Sequence, residues 1–252
     1  MLRYTFGNDA PAVQRLALVA EAYERTSRTF LESLAPVGSR TAVDAGCGPG
    51  FSTALLRDVC RADLVIGVDA SPELLAVASG CVPDGVFVEA DVSEGRVPGA
   101  PADVIYARLV LAHLPDPIQT AEAWRSSLAP GGVLLIEDLE GVEAQDGPLQ
   151  DYEDISGRVV AAGGGVFYGG ARLRHLGGDV VTVTVPASRA AAIYLFNVER
   201  WLQSRPAGVD GEDLTRLQAG LREIAVSKPP GSVSWLVRQL PMWSVQDARH
   251  HE

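Results

Sequence analysis

Thr41-Ala42-Val43-Asp44-Ala45-Gly46-Cys47-Gly48-Pro49-Gly50 is a short apolar run that passes into a glycine turn and then into a helical pattern from Ser52 to Cys60. Glycines at alternate positions let the backbone turn sharply and leave no Cβ between the chain and a ligand lying on it. The chemistry is that of a cofactor-binding turn. A nicotinamide fingerprint needs G-x-G-x-x-G, but position 51 is Phe51, and a P-loop needs Gly-Lys-Ser/Thr, for which no lysine lies within reach. Asp44, two residues before the first glycine, repels phosphate and suits a cationic ligand.

Outward from this turn the pattern alternates. Thr41 to Asp44, Leu64 to Asp69, Val86 to Ala90, Asp103 to Ala107 and Val133 to Glu137 read as strands, separated by helical patterns at Ser52 to Cys60, Pro72 to Gly80 and Pro117 to Leu128. Such alternation gives right-handed βαβ units and a parallel sheet covered on both faces, with ligands beyond the carboxyl ends of the strands. Before the turn, Asn8 to Leu34 has helical spacing, as one long helix or two broken near Thr26-Ser27. After Glu137 the reading is a linker-like acidic loop at Gly141 to Gly147, a helix from Leu149 to Ala162, and a break at Gly163-Gly164-Gly165. A strand at Asp179 to Val185, helices at Ala190 to Gln203 and Gly211 to Val226, and a last strand in Val233 to Val245 complete seven strands. The expected fold is a doubly wound, mostly parallel α/β sheet. Residues 1-38 are read as a helical lid, 39-140 as the cofactor-binding core, and 141-252 as substrate-side helices and strands completing the same domain.

The chain has 252 residues, 47% hydrophobic, with a formal net charge of -11 and no basic tract. That balance argues against a surface that holds nucleic acid and for a small-molecule substrate. With no run of eighteen apolar residues and no signal-peptide pattern near Met1, a cytoplasmic chain without a membrane partner is expected. Cys47, Cys60 and Cys81 are too scattered for a disulfide framework or a zinc site, so no metal is expected.

Two further acids stand at strand ends. Asp69 ends the second strand, placed to accept both hydroxyls of a ribose, and Asp91 follows the third, where a carboxylate can accept from the amine of adenine. Taken singly, each is equally readable as a helix cap. Taken together with the glycine turn, with Leu109-Val110-Leu111-Ala112-His113-Leu114-Pro115-Asp116-Pro117 and with Leu128-Ala129-Pro130-Gly131-Gly132, they resemble the class I S-adenosylmethionine-dependent methyltransferases over roughly residues 40 to 140. A looser likeness, in Tyr4 to Gly7 and the helix after it, is to bacterial members acting on small natural products.

The resemblance implies that Gly46, Cys47 and Gly48 lie under the methionine and ribose of the cofactor. It puts Asp44 at the methionine ammonium, Asp69 and Ala70 at the ribose, Asp91 and Val92 at the adenine, and Arg108 near the sulfonium. Arg28 is a candidate partner for the cofactor carboxylate. His113 and Tyr23 are the catalytic candidates: His113 follows the fourth strand at the height of methyl transfer and reads either as a general base or as a structural anchor for its loop. Aromatic residues outside the central sheet are candidate pocket walls, above all Tyr4, Phe167, Tyr168 and Trp201, suited to a planar acceptor. The expected activity is methyl transfer to a small aromatic or heterocyclic acceptor, leaving S-adenosylhomocysteine. The alternatives are a cofactor-bound cyclisation or rearrangement without methyl transfer, and a non-catalytic binding protein. The helices at Ala190 to Gln203 and Gly211 to Val226 have a composition that permits either a homodimer interface or a roof over the pocket.

Overall fold

The computed structural model describes residues 7–245, so Tyr4 lies outside the described residues. α1 (Ala10–Leu34) is a single unbroken helix. The Asp9 carboxylate accepts from the Ala12 amide at 3.1 Å, and Pro11 sits in the first turn, where a missing N–H costs nothing. No break occurs at Thr26-Ser27, because Ser27 and Phe30 belong to the same buried stripe as Val19 and Tyr23.

Five strands and three helices follow: β1 (Thr41–Ala45), α2 (Phe51–Cys60), β2 (Leu64–Asp69), α3 (Pro72–Cys81), β3 (Val86–Glu89), β4 (Ala102–Arg108), α4 (Pro117–Arg125) and β5 (Leu128–Glu143). Short 3-10 turns stand at Val92–Glu94 and Leu111–His113. The rest of the chain forms α5 (Pro148–Ala162), α6 (Gly169–Arg172), β6 (Asp179–Pro186), α7 (Ala187–Ser204), α8 (Gly211–Ser227) and β7 (Ser232–Trp243). One seven-stranded sheet runs in the order β3-β2-β1-β4-β5-β7-β6, with only β7 antiparallel to its neighbours. The order reverses between β1 and β4, which opens a crevice above the carboxyl ends of those strands.

Alternation along the strands divides the core. Val43, Ile66, Ile105 and Leu134 pack on one face with Trp124, while Ala42, Val104, Tyr106 and Leu135 pack on the other with Leu55, Leu56, Phe30 and Leu31. A further cluster joins α1, α5, α7 and α8 to β6 and β7, so α7 roofs the space above the sheet.

Two sequence expectations are corrected. β5 continues to Glu143, through the stretch expected to be a loop from Gly141, because β7 pairs with it down to Glu143↔Ser234 after a register shift between Leu139 and Gly141. That shift leaves Glu140 as an extra residue between the pairs Leu139↔Val237 and Gly141↔Leu236, the count of a β-bulge. The helix expected over Pro117 to Leu128 stops at Arg125, and Leu128 instead pairs with Ala102 as the start of β5.

Candidate active site

The turn after β1 is held by geometry that only glycine meets. The Gly46 and Cys47 amides both donate to the Val68 carbonyl of β2, at 2.7 and 2.9 Å. Gly46 has φ +75°, and a Cβ there would lie 2.5 Å from a methyl of Val110. At Gly48, with φ +51°, a Cβ would meet nothing within 4 Å. Gly46 is therefore closed against the protein, and Gly48 is open toward a cavity of about 910 Å³ that both residues line.

Asp44 is fully buried at the head of this turn. Its Oδ2 accepts from the Ser52 and Thr53 hydroxyls of α2, each at 2.7 Å, while Oδ1 is buried with no donor. Burial raises the carboxyl to about 6, against the pull of those hydroxyls. Asp44 does not itself line the cavity, so its orphaned oxygen suits an ammonium reached through a bridging water rather than by direct contact.

Asp69 faces the same cavity. Its Oδ2 accepts from the Gly48 amide at 2.8 Å and its Oδ1 from the Ser71 amide at 2.9 Å, leaving a lone pair on each oxygen for a diol. Desolvation raises this carboxyl as well. The Ala90 amide donates to the Asp69 carbonyl at 3.1 Å, which brings the tips of β2 and β3 together. Asp91, at the β3 tip, accepts from the Ser93 amide at 2.9 Å and caps the turn at Val92–Glu94. It also lines the cavity, so capping and lining coexist in one side chain. The set of carboxylate acceptors, one for a cation, one for a diol and one for an amine, matches the parts of an adenosyl amino acid.

Of the other residues singled out from sequence, Cys47, Ala70, Val92, Arg108, Tyr23, His113 and Phe167 line the cavity. Arg108 donates to the Ser27 hydroxyl at 3.3 Å and its guanidinium stands 5.8 Å from the centroid of the Tyr23 ring. Burial, then the charge of Glu137, holds the Tyr23 phenol far above its ordinary pKa, so it stays protonated. His113 ends the turn Leu111–His113, whose Leu111 and Ala112 amides donate to Asp138 Oδ2 at 2.9 and 3.3 Å. Desolvation, reinforced by the charge of Arg15, lowers the imidazole to about 4, so it is neutral at physiological pH.

Three expectations are corrected. Arg28 lies on the outer side of α1, donating to Glu24 at 2.7 Å and to Asp58 at 2.9 Å, and does not line the cavity. Trp201 is buried behind the wall, stacked on Tyr152 with centroids 5.7 Å apart. Tyr168 is not itself a wall: its hydroxyl donates to Glu153 at 3.1 Å. The sequence reading missed Arg15, Asp138, Tyr152, Glu153, Asn197 and Trp235, all of which line the cavity. For two of them a signal existed. Arg15 interrupts the buried stripe Ala12, Val19, Tyr23 of α1, and Glu153 interrupts Leu149, Tyr152, Val159, Val160 of α5. A charge on an apolar stripe is a buried charge with a task.

Comparison with known proteins agrees with this geometry. The family described as a methyltransferase domain matches residues 43–136. Curated relatives include a trans-aconitate 2-methyltransferase of Azoarcus sp. (strain BH72), 37% identical over 124 residues, which are 49% of this chain and 49% of that one. Another, from Rhizobium leguminosarum bv. trifolii, is 38% identical over 45% of this chain and 44% of its own length. The chain thus spans about half the length of the curated relatives it matches. Among solved structures, YjhP from E. coli superposes with a TM-score of 0.50 at 20% identity over 87% of this chain and 91% of its own. The [4+2]-cyclase SpnF superposes with a TM-score of 0.50 at 18% identity over 88% of this chain and 81% of its own. At such identities these two show the fold alone. Residues 43–136, which carry the glycine turn and the strand-tip acids Asp69 and Asp91, thus match a methyltransferase domain, and this part of the chain is similar to the class I S-adenosylmethionine-dependent methyltransferases.

Proposed function

We propose that the protein transfers a methyl group from S-adenosylmethionine to a small, largely aromatic or heterocyclic acceptor. The observation that carries this reading is a single cavity that joins the acid-lined strand tips, at Gly48, Asp69 and Asp91, to a compartment walled by Tyr23, Tyr152, Phe167, Tyr194 and Trp235. In this reading Asp44 answers the methionine ammonium, Asp69 the ribose, and Asp91 with the Val92 amide the adenine. The bound cofactor supplies a methyl group already activated on a sulfonium. The chain's own task is then to hold the acceptor in line and keep water out. α1 and α7 close over the sheet for that purpose, and the Tyr23 ring presents a face that tolerates positive charge.

The acceptor compartment favours a neutral aromatic molecule. Its lining includes Arg15 and Arg108 against the carboxyl groups of Asp138 and Glu153. Trans-aconitate, the acceptor named for the relatives, is a tricarboxylate and would need a clear excess of positive charge to be desolvated there.

Titration calorimetry with S-adenosylhomocysteine, followed by turnover with methyl-labelled cofactor against phenols, indoles, amines and trans-aconitate, tests the proposal. Micromolar binding and label in an aromatic product are expected. Label found only in trans-aconitate would overturn the acceptor class. A changed acceptor without label would overturn methyl transfer in favour of a cofactor-bound rearrangement.

A further inference from the structure

The buried stripe of α5 carries one acid. Glu153 is 5% exposed and lines the acceptor side of the cavity. The Tyr168 hydroxyl donates to Oε2 at 3.1 Å. The Tyr194 hydroxyl of α7 stands near the same carboxyl group and accepts from Trp235 Nε1 at 3.0 Å. The Tyr194 ring is stacked on Tyr152, with centroids 3.7 Å apart and planes 7° from parallel. Tyr152, Tyr194 and Trp235 line the cavity together with Glu153, as a packed aromatic wall beside the carboxyl group. The Tyr168 phenol occupies one of the roughly four acceptor positions of a carboxylate, and others remain for a ligand.

We propose that Glu153 is the acceptor-recognition group of this cavity: it accepts a hydrogen bond from a phenol hydroxyl or ring N–H of the acceptor, and so selects donor-bearing aromatic molecules over capped or anionic analogues. The proposal rests on the reading of this compartment as the acceptor site. The physics is that of a site built to hydrogen-bond a substrate group. A ligand with the donor methylated or absent leaves a desolvated carboxylate short of a partner, and a carboxylate ligand brings like charge against it. Glu153 is a recognition residue in this scheme, and the aromatic wall beside it offers apolar surface to the ring it recognises.

Binding of 2-naphthol, 2-methoxynaphthalene and 2-naphthoate, measured calorimetrically on the full chain at pH 8, above the range in which Glu153 holds its proton, tests this without turnover. Each titration is run with and without saturating S-adenosylhomocysteine, on the wild type, Glu153→Gln and Glu153→Met. The wild type is expected to prefer 2-naphthol over both other probes by about tenfold or more, the scale of a charge-assisted hydrogen bond. Glu153→Gln should reduce the preference over 2-methoxynaphthalene to about threefold and admit 2-naphthoate more readily. Glu153→Met should abolish the preference, and both variants should bind S-adenosylhomocysteine within about twofold of the wild type. Should Glu153→Met fail to fold, Glu153→Gln decides the matter. Equal affinity of the wild type for 2-naphthol and 2-methoxynaphthalene would overturn the proposal, as would an equal loss of all three probes in the variants, the signature of a scaffold role. Failure of S-adenosylhomocysteine to bind would instead sink the cofactor reading, since the naphthol preference measured in its absence stands on its own.

Discussion

The Gly48 amide donates to Asp69 Oδ2 at 2.8 Å, tying the turn after the first strand to the tip of the second. One carboxylate therefore shapes the cradle and offers its remaining lone pairs to whatever lies in it. Asp69→Ala should weaken S-adenosylhomocysteine by roughly 10- to 100-fold, the range for a lost charged hydrogen bond, and calorimetry reads it. Asp69→Asn, which keeps one acceptor oxygen, should lose less. An unchanged dissociation constant in both variants would remove Asp69 from the site.

Gly46 and Gly48 share a positive φ but differ in what surrounds them. Gly46→Ala drives a Cβ to within 2.5 Å of Val110, and strain plus overpacking should cost about 2–4 kcal/mol of stability. Gly48→Ala meets no atom within 4 Å and should cost only the left-handed conformation, about 1–2 kcal/mol, while intruding on the cavity. Thermal melts should rank Gly46→Ala as much the less stable, and calorimetry should show Gly48→Ala losing cofactor affinity. The reverse ranking would mean that the turn moves when occupied.

Arg28 is held by Glu24 and Asp58 on the surface of α1. Arg28→Ala should leave the affinity for S-adenosylhomocysteine within about twofold and change stability by under about 1 kcal/mol, as exposed ion pairs do. A tenfold loss of affinity would mean that α1 swings inward on binding.

The contrast between Arg28 and Arg15 shows what the sequence could and could not convey. The acids that line the crevice were legible because each sits a fixed distance from a local signal: Asp69 ends one apolar run and Asp91 follows the next. Backbone geometry alone carries such residues to the crevice. The aromatic wall of the cavity has no such rule. Which face of α1 turns inward depends on its packing against α7 and β6, so Arg28 and Arg15, both on the same helix, end on opposite sides of it. Trp201 and Trp235 differ in the same way, since stacking on Tyr152 places Trp201 behind the wall. β5 ran past its expected end for a related reason: its last residues are strand because β7, ninety residues later, pairs with them.

Burial lifts Glu153 to about 7 and Asp138 also to about 7, well above their ordinary values. The folded chain keeps protons on these groups that the unfolded chain releases, so stability falls as pH rises from about 4 through 7. Glu140, held low by Arg238, has the opposite sign, but its contribution is lost only below about pH 4.5. His113, lowered to about 4, gains stability up to pH 6.5 and adds nothing above it. The groups around Glu153 are Tyr23, Tyr152, Asp154, Tyr168 and Tyr194, and the four phenols are all raised and stay neutral here. Between pH 6 and 8 the melting temperature of the wild type should therefore fall. Glu153→Gln should flatten that fall and be the more stable protein at pH 8, by on the order of 1–3 kcal/mol. Parallel slopes in the two proteins would show that Glu153 is ionised throughout.

His113 and Glu153 can be separated by the pH dependence of turnover. An imidazole that titrates near 4 is neutral across the working range and is a weak base, because proton transfer is best served by a pKa near the operating pH. Glu153, near 7, is the group in the cavity whose charge changes in that range together with Asp138. The rate with a donor-bearing acceptor should rise with an apparent pKa close to 7 in the wild type. His113→Gln should keep that inflection while lowering the rate through its hold on the loop, and Glu153→Gln should shift or erase it. An inflection lost in His113→Gln and kept in Glu153→Gln would make the histidine the proton acceptor, with a pKa that the bound acceptor raises by about three units, an interaction of roughly 4 kcal/mol between imidazolium and ligand.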